Sequence, residues 1–193
     1  ALACAYFNTR RLPYLLLALV VLALGSMIRY QLGILLPVLV LLIFLIRKYR
    51  DLLPFAALAI ALFVLTGLMD LYFGGRFHGS LFSYVPYNLT FAGAHYGKMP
   101  FYAFVLLFFG LGLPPTFISR FRGFLWKTSY RPLLPALLFF TIFVIGHSLS
   151  PHKEERFMIP VLPLFLILIV PMISYFFERP RHHWRLWYFG VVN

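Results

Sequence analysis

Between two long apolar runs the chain places His152, Lys153, Glu154, Glu155, Arg156 and Phe157 in succession. Four consecutive charges at the edge of an apolar run are costly unless they are paired or used. Lys153 and Arg156 can grip a phosphate, the arginine through its planar fork and the lysine as a point charge. Glu154 or Glu155 can orient those cations or accept sugar hydroxyls, and His152 can donate to a phosphate oxygen or to a leaving group. The same residues also read as a solvated cap on a helical hairpin, closed by its own ion pairs.

A second polar stretch lies upstream: Asp70, Tyr72, Phe73, Gly74, Gly75 and Arg76, then Tyr87, Asn88 and Thr90, then Tyr96, Gly97, Lys98, Met99 and Pro100. Interleaved aromatic and hydrogen-bonding residues suit a sugar, whose ring face stacks while its hydroxyls are bonded. They equally suit an amphipathic segment or an aromatic belt at headgroup level. Arg29, between the first two apolar runs, can reach a lipid phosphate or simply snorkel to the interface. His78, His95, His147 and His152 include no pair at the i+3 or i+4 spacing that a helix uses to hold an ion, so no metal site is expected. Asn88, Leu89 and Thr90 form an acceptor sequon of a kind that also arises by chance. His182 and His183, among Arg179, Arg181 and Arg185, suit anionic headgroups.

The elements that position these residues follow from composition. Of 193 residues, 62% are hydrophobic and 11% charged, with a mean hydropathy of +0.89. A soluble domain carries roughly a quarter of its residues as charges, so the exterior of this chain is lipid. The net charge of +12 does not indicate nucleic acid, because the seventeen Lys and Arg residues sit in short clusters between apolar runs. Cys4 is the one cysteine and has no partner for an intrachain disulfide. The fold class is therefore an all-α polytopic membrane protein, a single transmembrane domain over 1–193 with about six spans at 12–28, 32–46, 52–69, 101–118, 132–149 and 158–177. An outer loop occupies 70–100 and the charged turn 150–157. With six crossings, twelve of the basic residues fall on one side: Arg10, Arg11, Arg47, Lys48, Arg50, Arg120, Arg122, Lys127, Arg131, Arg179, Arg181 and Arg185. That side is cytoplasmic by the positive-inside rule, and both polar stretches face away from it.

The residues from His152 to Leu164 resemble the HKExRF signature and proline-bearing span of the family 22 glycosyltransferases. Those are multispanning mannosyltransferases of lipid-linked oligosaccharide and glycosylphosphatidylinositol assembly, with a GT-C fold. Asp70, Tyr72, Phe73, Gly74, Tyr87, Asn88, Tyr96, Gly97 and Pro100 resemble, in order, the loop that precedes the signature, and Ile28 with Arg29 resembles the family's arginine turn. Met99, Phe101 and Tyr102 depart from the residues usual there.

The resemblance implies transfer of a mannosyl group from a polyprenyl-phosphate donor, such as dolichyl phosphate mannose, to a lipid-linked glycan on the non-cytoplasmic face. It implies that His152, Lys153, Arg156 and Arg29 hold the donor phosphate, that Glu154 and Phe157 organise the cluster, and that Asp70, Tyr72, Asn88, Tyr96, Gly97 and Pro100 shape a loop and sugar site. Neither a metal nor a cofactor is expected, since fixed cations can stabilise a single departing phosphate. The membrane would be that of the endoplasmic reticulum in a eukaryote and the plasma membrane in a prokaryote. The family's first outer loop, with its acidic base, has no counterpart here, so the chain is expected to be part of a longer protein whose base lies upstream of Ala1, and inactive alone. A transporter without chemistry is the alternative, disfavoured because the charges lie at span ends rather than near the midplane.

Overall fold

The computed structural model describes residues 1–91, 95, 97–112, 131–177, 187 and 191. Among them every regular element is helical. A short α1 (Leu2–Thr9) leads into α2 (Leu12–Ile28), then a 3-10 segment (Tyr30–Leu35) that runs into α3 (Leu36–Leu45). After a 3-10 turn at Tyr49–Asp51 come α4 (Leu52–Gly74), α5 (Gly79–Pro86) and one turn of π-helix at Tyr87–Phe91. Next are α6 (Ala103–Gly112), a 3-10 turn at Arg131–Leu133 with α7 (Leu134–Ser148), and a 3-10 segment (Glu155–Val161) leading to α8 (Leu162–Phe177).

Pro13, Pro37 and Pro135 each stand in the first two positions of their helices, where the missing N–H has no partner to lose. Among the described residues, two helices are long and apolar enough to cross a membrane: Tyr49–Gly74, with 26 residues, and Arg131–Ser148, with 18. Leu12–Ile28, Tyr30–Leu45 and Phe157–Val170 are apolar but shorter. The long helix presents Leu53, Ile60, Phe63, Leu65 and Leu68 on its outside, a surface that water would penalise.

Two differences from the sequence reading concern the segment after 69. The helix continues past the apolar run to Gly74 and stops where Gly75 adopts φ 73°, returning its N–H to Leu71 O. The stretch 70–100 is then largely helical rather than an open loop, since α5 and the π-turn occupy Gly79 to Phe91. Asp70 explains why α5 can form without a capping residue of its own. Its carboxylate, on α4, accepts from Ser80 N–H at 2.9 Å and from Ser80 Oγ at 2.8 Å, which satisfies the first turn of α5 from outside. Of the expected span at 101–118, residues 113–118 lie outside the described residues.

The bundle centres on α7, which packs against α1, α3, α6, α8 and the 3-10 segment Tyr30–Leu35. Phe139, Phe143 and Val144 of α7 share the core with Val38, Leu39, Leu42 and Ile43 of α3 and with Phe104, Phe108 and Phe165. Gly146 permits the closest approach: a Cβ built there would strike Ile34 Cδ1. At the opposite end, buried Tyr6 donates its hydroxyl to buried Asp51 at 2.9 Å, and Lys48 Nζ stands 3.6 Å from the same carboxylate.

These contacts rank two glycines differently. Gly146→Ala lowers stability by about 1–3 kcal/mol because Ile34 must be displaced in a packed core. Gly110→Ala, with nothing within 4 Å of the added carbon, changes it by about +0.5–1 kcal/mol in the stabilising direction. Thermal unfolding of the two variants in one detergent checks the order.

Candidate active site

The charged turn begins where α7 ends. Leu149 N–H still returns to Ile145 O, and Ser150 N–H reaches only to His147 O, as the helix tightens and Pro151 halts it. His152, Lys153 and Glu154 belong to no regular element, Glu154 having extended backbone, and the 3-10 segment starts with Phe157 N–H bonded to Glu154 O at 3.0 Å. This non-helical passage lets three successive side chains diverge instead of winding round a helix.

Lys153 turns inward and is 6% exposed. Its ammonium donates to Ser150 O at 2.6 Å and to Met99 O at 3.1 Å. Met99 N–H donates to Pro151 O at 3.1 Å, so both backbone polar groups of Met99 are held by the turn. Ser150 Oγ also reaches towards Asn88 O at 3.5 Å. Lys153 thereby fastens the end of the 70–100 segment onto the charged turn. An ammonium has three protons, and two are used in these bonds. Burial holds the Lys153 ammonium below the ordinary lysine value.

His152, 7% exposed, lies 2.7 Å through Nε2 from Glu154 Oε1, and the Phe157 ring stands edge-on to the imidazole at 5.8 Å. An ionised carboxylate can only accept, so Nε2 carries the proton of that bond. The pair fixes the direction of the Glu154 carboxylate. Lys153 and Glu154 then form the polar end of a cavity of about 750 Å³ whose remaining wall is apolar: Met99, Ala103, Phe104, Leu106 and Leu107.

The structure thus brings together His152, Lys153, Glu154 and Phe157, with Pro100 beside them at the start of α6, where its carbonyl accepts from Ala103 N–H at 3.1 Å. Gly97, at φ 88°, turns the chain into that clasp. Asn88 is used internally, donating through Nδ2 to Tyr84 O at 2.8 Å. Tyr72 is 84% exposed, edge-on to Phe73. Asp70 lines a different cavity, about 530 Å³, whose polar residues are Ser26, Tyr30, Thr66, Asp70 and His78. Arg29 is exposed at the end of α2, beside the 3-10 segment. The side chains of Glu155 and Arg156, and all of Tyr96, lie outside the described residues, as do Arg179, Arg181, His182, His183 and Arg185.

Sequence reasoning missed the apolar wall of α6 and the part played by Met99. Phe104 and Leu107 do carry helical spacing, but nothing in residue type marks the face of a helix that meets a lysine fifty residues later. Met99 acts through its main chain, which leaves no signal in the side chain.

Lys153→Met removes both carbonyl bonds, costs about 2–3 kcal/mol of stability and exposes 97–100 to proteolysis. A lowered lysine value in the folded state means that the unfolded chain binds more protons between that value and the ordinary 10.5, so stability rises with pH across this window. Unfolding measured from neutral to alkaline pH shows that rise in the parent and less of it in Lys153→Met.

No curated protein and no solved structure gives a significant match to this chain. Residues 2–193 match the Alg9-like mannosyltransferase family, and because the match leaves out only the first residue, the chain belongs to that family of glycosyltransferases.

Proposed function

We propose that the chain takes part in transferring a mannosyl residue from a polyprenyl-phosphate donor to a lipid-linked glycan on the non-cytoplasmic face of a membrane. The setting is a GT-C-type bundle of about six spanning helices. The observation that carries the reading is the cavity headed by Lys153 and Glu154 and walled by α6. Its shape and polarity suit an amphiphile with an anionic head and a long apolar tail, and a polyprenyl phosphate is such a molecule. The run of exposed apolar residues on α4 supports a bilayer setting, and the basic clusters favour the side opposite the charged turn as cytoplasmic.

In the transfer, an acceptor hydroxyl attacks the anomeric carbon of the donor, and the bond from that carbon to the phosphate oxygen breaks. The phosphate leaves with the electron pair, and the hydroxyl proton passes to a base. Charge therefore grows on the phosphate, where fixed cations lower the barrier most. Lys153 supplies one cation, pre-oriented by two carbonyls so that little reorganisation accompanies the reaction. Arg156, three residues on, is proposed as the second, and Arg29 as a third contact to the phosphate. Glu154, held by His152, keeps the cluster in register and Phe157 packs the imidazole in place. Asp70 sets α5, while Tyr72, Asn88, Tyr96, Gly97 and Pro100 are proposed to shape the acceptor side. The reaction needs no metal in this reading.

Arg156→Ala and Glu154→Gln in the full-length protein lower mannosyl transfer about 10²–10³-fold, the scale for losing a charge-stabilising group, while the protein stays in the membrane. Radiolabelled polyprenyl-phosphate mannose with a lipid-linked acceptor, in reconstituted vesicles, measures this. Unchanged rates would refute the site assignment. Label that crosses the bilayer without forming a new glycosidic bond would replace the enzyme by a transporter.

A further inference from the structure

The end of the bundle away from the charged turn gathers three basic segments that are far apart in sequence. Lys48 Nζ donates to Arg10 O at 2.6 Å, joining the turn after α3 to the turn after α1. Asn8 Nδ2 reaches Pro132 O at 3.3 Å, joining α1 to the start of α7. Tyr6 and Asp51 pin the same two turns from below, with the tyrosine hydroxyl on the carboxylate at 2.9 Å. Burial and that neighbouring carboxylate push the Tyr6 hydroxyl above its ordinary value, so it stays a donor.

The outcome is an electrostatically one-sided face. Arg10, Arg11, Arg47, Arg50 and Arg131 are exposed, whereas Asp51 is buried and occupied by Tyr6 and Lys48. No other carboxylate stands at this end among the described residues. Arg10 and Arg47 both adopt φ 56°, a left-handed backbone uncommon outside glycine, and they are two of three such residues described. At both positions the left-handed residue closes a helix, with Arg10 N–H returning to Tyr6 O after α1 and Lys48 N–H to Ile43 O after α3, so the two arginines stand at fixed helix ends. Exposed Phe44 and Tyr49, edge-on at 5.6 Å, lie beside the arginines, as aromatic side chains do at the boundary between headgroups and hydrocarbon.

We infer that this face is a binding surface for anionic phospholipid headgroups, with Arg10, Arg47 and Arg131 contributing one guanidinium from each segment to their phosphates. The inference rests on the membrane-spanning reading, and it is independent of the sugar chemistry at the other end. Guanidinium groups suit the phosphodiester because their planar donors bond two of its oxygens together. A zwitterionic headgroup offers the same phosphate but cancels its charge, so the surface discriminates between the two.

The test uses the full-length protein in neutral detergent, titrated with phosphatidylglycerol or phosphatidylcholine, with the melting temperature and the lipids retained in native mass spectra as readouts. Phosphatidylglycerol raises the melting temperature and is retained, and phosphatidylcholine does neither. The triple variant R10Q/R47Q/R131Q loses retention about a hundredfold, at about fivefold per arginine. Arg76→Gln, outside this face, retains lipid as the parent does. Equal binding of the two lipids overturns the inference, as does full retention by the triple variant, or inorganic phosphate matching phosphatidylglycerol. If the triple variant does not fold, salt decides: retention by the parent falls between about 0.05 and 0.5 M salt, and salt-insensitive retention overturns the inference. Extraction of the parent from membranes by alkaline carbonate would instead defeat the spanning reading, a separate outcome.

Discussion

A single buried ammonium holds the proposed catalytic end of this protein together. Lys153 sits among apolar side chains, where an unpaired cation would be prohibitive, and it is tolerated because two carbonyls converge on it. Those carbonyls belong to Ser150 in its own turn and to Met99, so the solvation of one charge decides where the chain that precedes α6 lies. With Met99 anchored, Pro100 leads into α6 beside the turn, and the apolar wall of the cavity follows. The non-helical run at 152–154 then sends Lys153 inward and leaves Glu154 to be aimed by His152.

Elsewhere the fold relies on helices that are apolar nearly all round, and their packing needs few polar contacts. Two carboxylates supply polar contacts between elements. Asp70 caps a neighbouring helix, and Asp51 accepts from Tyr6 while facing Lys48. Each carboxylate therefore joins two elements. The Tyr6 to Asp51 bond is buried, so it has little solvent competition and fixes geometry strongly.

Much of this was legible in the residues. The helical class follows from apolar runs bounded by prolines, and α2 occupies the same 12–28 as its run because Pro13 opens the helix and Arg29, with extended backbone, closes it. His152 to Phe157 stood out as chemistry-bearing because four charges in a row against hydrocarbon demand a reason. The end of α4 was not legible: Asp70, Tyr72 and Phe73 ended the hydropathy signal, yet a helix does not require apolar residues, and only Gly75 could stop it. Nor was the separation of Asp70 from the charged turn, because order along a loop says nothing about which wall each residue faces. The Tyr6 to Asp51 bond spans 45 residues and joins two unremarkable positions, a contact that only the packing of α1 creates.

The return of the chain after α4 bears on how its topology could be mapped. His78, itself left-handed, stacks on Phe63 at 4.1 Å and bonds Phe63 O at 2.9 Å, and its approach depends on Gly67 having no side chain. Phe63 lies eleven residues before the end of the helix. The apolar run ends at Met69, six residues past Phe63, which at 1.5 Å per residue is about 9 Å into a hydrocarbon core about 30 Å thick. With α4 set across a bilayer, the imidazole of a segment that hydropathy assigns to the outside rests below the surface of that core. An impermeant thiol reagent applied to cysteines placed along 76–82 would therefore record protection and be scored as an extra crossing, although the chain enters and leaves by the same face.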